Sequence, residues 1–363
     1  MLRTPQIHFD YMRRTVPEGF QLYELVRRTH AKLTDDDLRA GVITEVLNRI
    51  DGLSRHMTYA MLLYDRAGQN TYVIGPRVQE LFRRTALSKV TRDLVVPPSF
   101  GLYVALPSCP LRIWGGERTG MHELRGIYVS FARWVHRDAS VKIPSDGIHF
   151  VLWGAPNARS TGPGDDAVLW FSLDLDQCFG DGEDLEFFFH QHDVMVADAS
   201  AATRWEGDDP FALRHEPLIP KDPERLAEQR ATLVASLRLV LNLCLYVSSE
   251  DPDLEIDDLG QEAERLGREM SRKKAGGKKK KLERRIAQMS RTKYVYVGPQ
   301  FERREKGAGG GGPHAAPVEH QVRPHWQHYW TGTGDERRRV LVYKGMYVRG
   351  SGTPERTVIK FRE

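Results

Sequence analysis

The 363-residue sequence has only three cysteines, Cys109, Cys178 and Cys244, which lie far apart and outside any C-x-x-C spacing. This scarcity argues against both a disulfide framework and a cysteine-based zinc site, and it fits a reducing compartment. Long hydrophobic runs are also missing, because the longest, at residues 239–247, is only about half as long as a membrane span. The N-terminus has no apolar core of a signal peptide. We therefore expect a cytoplasmic protein with no membrane partner.

The short motifs of common hydrolases are absent too. There is no G-x-S-x-G elbow and no H-E-x-x-H pair. The glycine-bearing segment 157–166 has neither the spacing nor the terminal lysine of a phosphate-binding loop, so it is predicted to be an exposed hairpin loop. No catalytic residue and no cofactor can be assigned, and the sequence favours a non-enzymatic function.

Charge is distributed unevenly along the chain. Residues 1–270 carry 30 Lys and Arg against 41 Asp and Glu, whereas residues 271–363 carry 23 against 8. A one-sided basic segment is what phosphate neutralisation requires, so RNA, DNA or a ribosomal surface is an expected partner. A solvated, partly disordered tail is the alternative. Four consecutive lysines predict a diffuse electrostatic contact of low sequence specificity: Lys278, Lys279, Lys280 and Lys281.

The hydrophobic pattern predicts an α+β fold. Residues 1–94 are expected to form an N-terminal helical region, in which segment 55–85 continues the helices with breaks near Gly68 and Pro76. Residues 95–270 are expected to form a central core. Its short aromatic and β-branched segments "VVPPSFGLYVALP", "LRGIYVSFARW", "GIHFVLWGA" and "AVLWFSLDL" predict a mostly antiparallel sheet. A long core helix then follows within 222–254, with a buried face made of Leu233, Leu237, Val240, Leu241 and Cys244.

Two further regions complete the predicted organisation. Residues 271–318 form a basic, low-complexity and glycine-rich linker region, which contains one predicted strand at 292–298 that must pair with the body. Residues 319–363 are predicted to form a small basic β unit, an appendage behind the linker.

The densest group of candidate binding residues lies in this C-terminal β unit. Trp326, Tyr329 and Trp330 are suited to stack on bases. Four arginines are suited to contact phosphates, namely Arg323, Arg337, Arg338 and Arg339. The alternative is that the aromatic residues fill the underside of a small sheet. Alternation of Val340 and Val342 with Leu341 and Tyr343 predicts a strand packed on both sides, and both interpretations stay open.

Histidines raise the question of a metal site. His190 and His192 would share one face of a strand, but no third ligand can be named. His320, His325 and His328 recur within the C-terminal β unit. No metal site is predicted from these patterns, although a metal-dependent ribonuclease using the last three histidines remains an alternative.

Segment 322–350, "VRPHWQHYWTGTGDERRRVLVYKGMYVRG", resembles the C-terminal signature of a family of phage and plasmid proteins that includes a type V-A anti-CRISPR protein. In that signature an Arg-x-His-Trp element is followed by an aromatic residue, a Gly-x-Gly turn, a basic strand and a terminal strand. The matching residues are Arg323, His325, Trp326, His328, Tyr329, Trp330, Gly332, Gly334 and Val342. Pro324 stands where the family usually has glycine. Weaker similarity runs through "PPSFGLYVALP", "LVLNLCLYVSSEDPDL" and "KYVYVGPQFERREK".

This resemblance implies an inhibitor that lowers production of the type V CRISPR nuclease. It would recognise the emerging N-terminal polypeptide of the nuclease during translation and trigger loss of the nuclease message. The implied partners are a nascent polypeptide or target protein, together with RNA or the ribosome. Arg323, His325, Trp326 and Trp330 are the residues expected to form the recognition surface. A general RNA- or DNA-binding regulator with no CRISPR role is the alternative.

Overall fold

The structure, a computed structural model, describes residues 7–39, 45–50, 52–87, 90, 94–135, 144–161, 166–174, 222–249, 252–258, 265–266, 268–269, 292–299, 320–322, 325–331, 338–344, 347–349 and 358–360. Its helices are α1 (His8–Thr15), α2 (Pro17–Thr29), α3 (Asp35–Arg39), α4 (Glu45–Asn48), α5 (Gly52–Arg66), α6 (Pro76–Arg84) and α7 (Pro223–Val247), with a 3₁₀ helix at His30–Lys32. Its strands are β1 (Asn70–Ile74), β2 (Gly101–Ala105), β3 (Arg112–Trp114), β4 (Met121–Val135), β5 (Pro144–Gly154), β6 (Ala167–Asp174), β7 (Leu254–Asp258), β8 (Lys293–Val297), β9 (His320–Val322), β10 (His325–Thr331), β11 (Arg338–Lys344), β12 (Tyr347–Arg349) and β13 (Val358–Lys360).

The α+β class is confirmed, and the main sheet is mixed. Within the described residues it has eight strands in the order β6-β5-β4-β2-β1-β8-β7, with β3 added against β4. β1 runs parallel to both of its neighbours, β2 and β8. The remaining pairs are antiparallel, as the short spacing of the predicted strands indicated.

Helices cover both faces of this sheet. On one face α1, α2 and α5 pack over a cluster that includes Tyr103, Tyr128 and Tyr294. On the other face α6 and α7 pack over a larger apolar cluster. Because both faces are covered, consecutive residues are buried along whole strands, as in β2, where all five positions are buried. Gly101 at the start of β2 permits this packing, since a Cβ there would lie 2.5 Å from the carbonyl oxygen of Leu63 in α5.

The N-terminal region is not wholly helical, so that part of the prediction is wrong. The helical pattern of segment 55–85 does break near Gly68 and Pro76, but the residues between the breaks form β1 in the centre of the sheet. Gly68 and Gln69 adopt positive φ angles of 86° and 55°, which turns the chain from α5 into the strand. A five-residue strand buried on both faces shows no alternation of apolar and polar residues, and this hid it within a helical pattern.

The predicted core helix is α7, and its assignment is confirmed. Asp222 caps it by accepting a hydrogen bond from the backbone of Glu224 at 3.0 Å, and Pro223 occupies the first turn. All five residues of the predicted buried face are at most 1% exposed. By length and composition α7 is the one helix in the described residues that is apolar enough to cross a membrane, but most of its apolar window is buried in the core.

The predicted strand at 292–298 is confirmed as β8, which pairs with β1 and β7. The C-terminal β unit, defined from here on as β9 to β13, is also present: β10, β11 and β13 form one antiparallel sheet, and β9 pairs with β12. It is not a separate appendage, however. Trp326 and Tyr343 belong to the large cluster beneath α6 and α7, so the β10–β11 hairpin is packed against the body.

Candidate functional site

The signature segment forms the hairpin of β10 and β11. The two strands pair antiparallel from His325 opposite Lys344 to Thr331 opposite Arg338, without a shift of register. β13 adds to the other edge of β11, with Tyr343 opposite Ile359. This pairing gives the segment a regular sheet in which alternate residues point to opposite faces.

Trp326 is the anchor of this sheet. Its side chain is only 1% exposed, and its indole nitrogen donates a hydrogen bond to Oδ1 of Asn242 in α7 at 3.0 Å. The indole ring lies 4.9 Å from the ring of Tyr343, which faces it across the hairpin, with an interplanar angle of 57°. A ring buried in this way has no face to offer a base or a peptide. The expectation of Trp326 on a recognition surface is therefore corrected: the residue is core, which was the alternative for this segment.

Asn242 organises the polar part of this contact. Its amide nitrogen donates to the carbonyl oxygens of Phe82 at 3.1 Å and Arg238 at 3.0 Å, while its own carbonyl oxygen accepts from Trp326. Burial of an amide group costs free energy unless its donors and acceptors are hydrogen-bonded. The arrangement thus joins α6, α7 and β10 at one point.

A second polar contact fixes the neighbouring strand. The hydroxyl of Thr85, just after α6, donates to the carbonyl oxygen of Leu81 at 2.7 Å. Its oxygen is therefore left to accept from the phenol of Tyr343 at 3.1 Å. Burial raises the pKa of Tyr343 above its usual value, so the phenol keeps the proton that it donates. Tyr343 and Val342 are 2% and 3% exposed, and this confirms that β11 is packed on both sides at these positions.

The outer face of β10 differs from the face that carries Trp326. Tyr329 is 36% exposed, and its hydroxyl donates to Oε1 of Gln327 on the same strand at 2.8 Å. Alternation along the strand puts these two side chains opposite to Trp326. Tyr329 is thus the predicted binding residue that is demonstrably accessible in the described part of the unit.

The other predicted binding residues are located only in part. The backbones of His325, His328, Trp330, Arg338 and Arg339 lie in β10 and β11, and the strand pairing brings Trp330 opposite Arg339. Others lie outside the described residues, namely Arg323, Arg337, Lys278, Lys279, Lys280 and Lys281. Their roles in binding stay predictions.

Metal-ligating geometry is absent from the described ranges, in which no group of three or more His, Cys, Asp and Glu residues could hold an ion. His190 and His192 lie outside these ranges. His320 is on β9, whereas His325 and His328 are on β10, and β9 pairs with β12 rather than with β10.

A buried polar network that the sequence did not reveal lies on the opposite face of the main sheet. The imidazole of His8 in α1 is 3.3 Å from the hydroxyl of Tyr128, and its Nε2 is 3.5 Å from Oδ2 of Asp166. The same carboxylate oxygen accepts from the indole of Trp153 at 2.8 Å. Burial opposes ionisation of Asp166, but the hydrogen bonds and the charge interaction with His8 outweigh it and lower the pKa.

This network has the order of an acid–base relay, yet His8 is fully buried. A reacting group must be within hydrogen-bond reach of its substrate, which a fully enclosed imidazole is not. We assign the network to fixing α1 on the sheet. Only the three-dimensional fold brings together residues so far apart in sequence, and no motif could have signalled them.

Comparison with protein-family models agrees with the signature. A family model described as AcrVA2-like, the anti-CRISPR type V subtype A2 family, matches residues 72–350. A search of curated proteins finds no match. Among solved structures, a chain titled "Crystal structure of AcrVA2" is 11% identical, with a TM-score of 0.45, and the alignment covers 94% of this chain and 99% of that chain. The family model spans well over half of the sequence and includes the last three residues of β1, the core helix and the β10–β11 hairpin. This chain therefore belongs to the AcrVA2-like family of type V, subtype A2 anti-CRISPR proteins.

Proposed function

We propose that this protein, as an anti-CRISPR inhibitor, lowers production of a type V CRISPR nuclease while the nuclease is being translated. It recognises the N-terminal polypeptide of the nuclease as the chain leaves the ribosome, and recognition leads to loss of the nuclease message. Family membership supports the inhibitory role. Recognition during translation places the protein in the cytoplasm.

The observation that carries this proposal is the attachment of the signature hairpin to the core. Buried contacts from Trp326 to Asn242 and from Tyr343 to Thr85 hold β10 and β11 in one position. A surface that is already ordered loses less conformational entropy when it binds. The exposed position at Tyr329, on the side of the hairpin opposite to Trp326, is suited to be part of such a surface.

The separation of charge supports two kinds of contact. The acidic residues 1–270 favour a polypeptide with basic groups, and the basic residues 271–363 favour the phosphates of RNA or the ribosome. Arg323, Arg337, Arg338 and Arg339, with Lys278 to Lys281, are the proposed electrostatic contacts. His325 and Tyr329, at alternate positions of β10 on the side opposite to Trp326, are the proposed specific ones.

The experiment that tests this function separates the message from its polypeptide. Three messages are compared in a cell-free translation reaction. The first encodes the nuclease, and the second is recoded synonymously so that it encodes the same N-terminal polypeptide with a different RNA sequence. The third carries a frame shift, so that it keeps nearly the same RNA sequence in this region but encodes a different polypeptide. We expect loss of the first two messages and survival of the third. Survival of the recoded message alone would mean that RNA sequence is recognised, and the proposed mechanism would be wrong.

Variants connect this result to the signature hairpin. Tyr329→Ala is expected to weaken message loss, because it removes an accessible aromatic side chain from β10. Leu25→Ala is the matched control, since Leu25 is 51% exposed on α2 and lies outside the signature. Equal activity of both variants would remove Tyr329 from the binding surface.

A general RNA- or DNA-binding regulator is the second candidate, and the excess of 23 basic over 8 acidic residues after residue 270 favours it. It predicts that all three messages are bound alike, with an affinity that falls steeply as salt rises.

A further inference from the structure

One edge of the main sheet is formed by β7. Within the described strands β7 pairs only with β8, and their register runs from Leu254 opposite Val297 to Asp258 opposite Lys293 without interruption. The strand contains no proline and no bulge. A regular edge strand of this kind presents backbone donors and acceptors on which another strand can pair.

The central residues of β7 are exposed on both sides of the sheet. Glu255 and Asp257 point to one face and Ile256 to the other, and all three are exposed. Ile256 is 57% exposed, the highest value among the large hydrophobic residues that are exposed in the described part of the chain. Neither layer of helices therefore covers this edge, although Leu254 at its start packs against the core.

We propose that β7 binds an extended, basic polypeptide segment as an additional strand of the main sheet. The inference rests on the proposed function, since a chain that has just left the ribosome is unfolded and can supply such a segment. Strand addition suits an unfolded partner because backbone hydrogen bonds provide affinity for any extended sequence, while side chains on alternate positions provide selectivity.

The side chains of β7 define the partner. Asp257 would face a residue on one side of the added strand, and opposite charges directly across a sheet stabilise the pair. Ile256 would pack against an apolar residue on the other side. The matching segment therefore alternates basic and apolar residues. Charged side chains can also protect an edge from pairing, but acidic residues repel only acidic partners, and an exposed isoleucine gives no such protection.

The test measures binding of the full chain to a short labelled peptide of alternating lysine and valine. Two further peptides are controls: one alternates glutamate and valine, and the other carries N-methyl groups on alternate backbone nitrogens of the lysine peptide. We expect the lysine peptide to bind and both controls to fail. Asp257→Lys should weaken binding of the lysine peptide about tenfold and favour the glutamate peptide, because it reverses a cross-strand charge pair. Glu228→Lys, an equal change at an exposed position of α7, should leave binding unchanged.

Three outcomes would overturn the inference: no binding of the lysine peptide, equal binding of the N-methylated peptide, or equal effects of the Asp257 and Glu228 variants. Message loss in the translation reaction, measured with the same proteins, keeps the two proposals apart. Message loss by a protein that binds no peptide would remove strand addition at β7 and leave the proposed function standing. Peptide binding by a protein that spares all messages would remove the proposed function and leave strand addition at β7 standing.

Discussion

The indole nitrogen of Trp326 and the side-chain oxygen of Asn242 lie 3.0 Å apart, although the two residues are 84 positions apart in the sequence. This hydrogen bond joins the signature hairpin to the long core helix. Trp326 therefore holds the hairpin in place. Binding is proposed for accessible residues of the hairpin such as Tyr329.

Substitution of Trp326 should therefore act through stability. Trp326→Ala is expected to lower the free energy of unfolding by about 3–5 kcal/mol, because it empties a buried site. Trp326→Phe should cost less, about 1–3 kcal/mol, since packing is retained but the carbonyl of Asn242 loses its donor. Urea unfolding followed by tryptophan fluorescence and circular dichroism measures both. Tyr329→Ala is the control, expected within about 0.5 kcal/mol of wild type. A stable Trp326→Ala protein with impaired activity would restore Trp326 as a contact residue.

Tyr343 and Thr85 should be energetically coupled. Tyr343→Phe and Thr85→Ala each remove one partner of the 3.1 Å hydrogen bond. We expect each to cost about 1–3 kcal/mol and the double variant to cost less than their sum, by at least about 0.5 kcal/mol. A double-mutant cycle in urea measures the difference. Strict additivity would mean that the hydroxyl groups do not interact.

Acid should destabilise the fold through two histidines. Burial lowers the pKa of His56 to about 4 and that of His149 to about 3, below the unfolded value of 6.5. Both are neutral in either state well above pH 6.5. As pH falls below that value, the unfolded chain takes up the protons first, so stability is lost down to the folded pKa values. His56 also stacks on Trp170, with ring centroids 3.7 Å apart.

His56→Phe should keep this stacking and remove the titration. Between pH 6.5 and pH 4, the free energy of unfolding of the variant should fall by up to about 3 kcal/mol less than that of the wild type. Unfolding free energies at a series of pH values test this, and parallel curves for the two proteins would contradict it.

Asp166 should stabilise the attachment of α1. Asp166→Asn removes the charge beside His8 and weakens the bond from Trp153, which should cost about 1–3 kcal/mol at pH 7. Because the pKa of Asp166 is lowered in the folded state, its contribution is present above the normal carboxyl pKa and is lost as pH falls through the folded value. The difference between wild type and variant should therefore shrink in acid. Asp257→Asn, at an exposed position, is the control and should change stability little.

Truncation after residue 270 should abolish folding. The deletion would remove β8 from between β1 and β7 and take Trp326 and Tyr343 out of the core. We expect an aggregated or protease-sensitive product, as judged by limited proteolysis and size-exclusion chromatography. A folded, monomeric product would show that residues 1–270 are an independent domain. Loss of RNA or ribosome binding after this deletion could not be attributed to the basic segment alone, so charge-reversing substitutions are the better test.

Residue patterns were sufficient for much of the fold. Runs of aromatic and β-branched residues marked β2, β4, β5 and β6, because strand preference and burial act on the same side chains. Spacing of Leu233, Leu237 and Cys244 marked the buried face of α7. β1 could not be found in this way. It is short, and helices that precede and follow it in the chain cover both of its faces, so that its sequence shows no alternation of apolar and polar residues.

Residue patterns alone predicted the α+β class, the core helix, the strand at β8, the uneven charge and the family signature, because each depends on local preference, on composition or on order along the chain. Which aromatic residues are core and which are accessible depends on the packing of the folded chain. Trp326 and Tyr329 lie on opposite sides of β10, and the contacts of Trp326 with Asn242 and Tyr343 show which of the two sides faces the core. The network of His8 and Asp166 and the position of β7 at the edge of the described sheet likewise depend on neighbours that are remote in sequence.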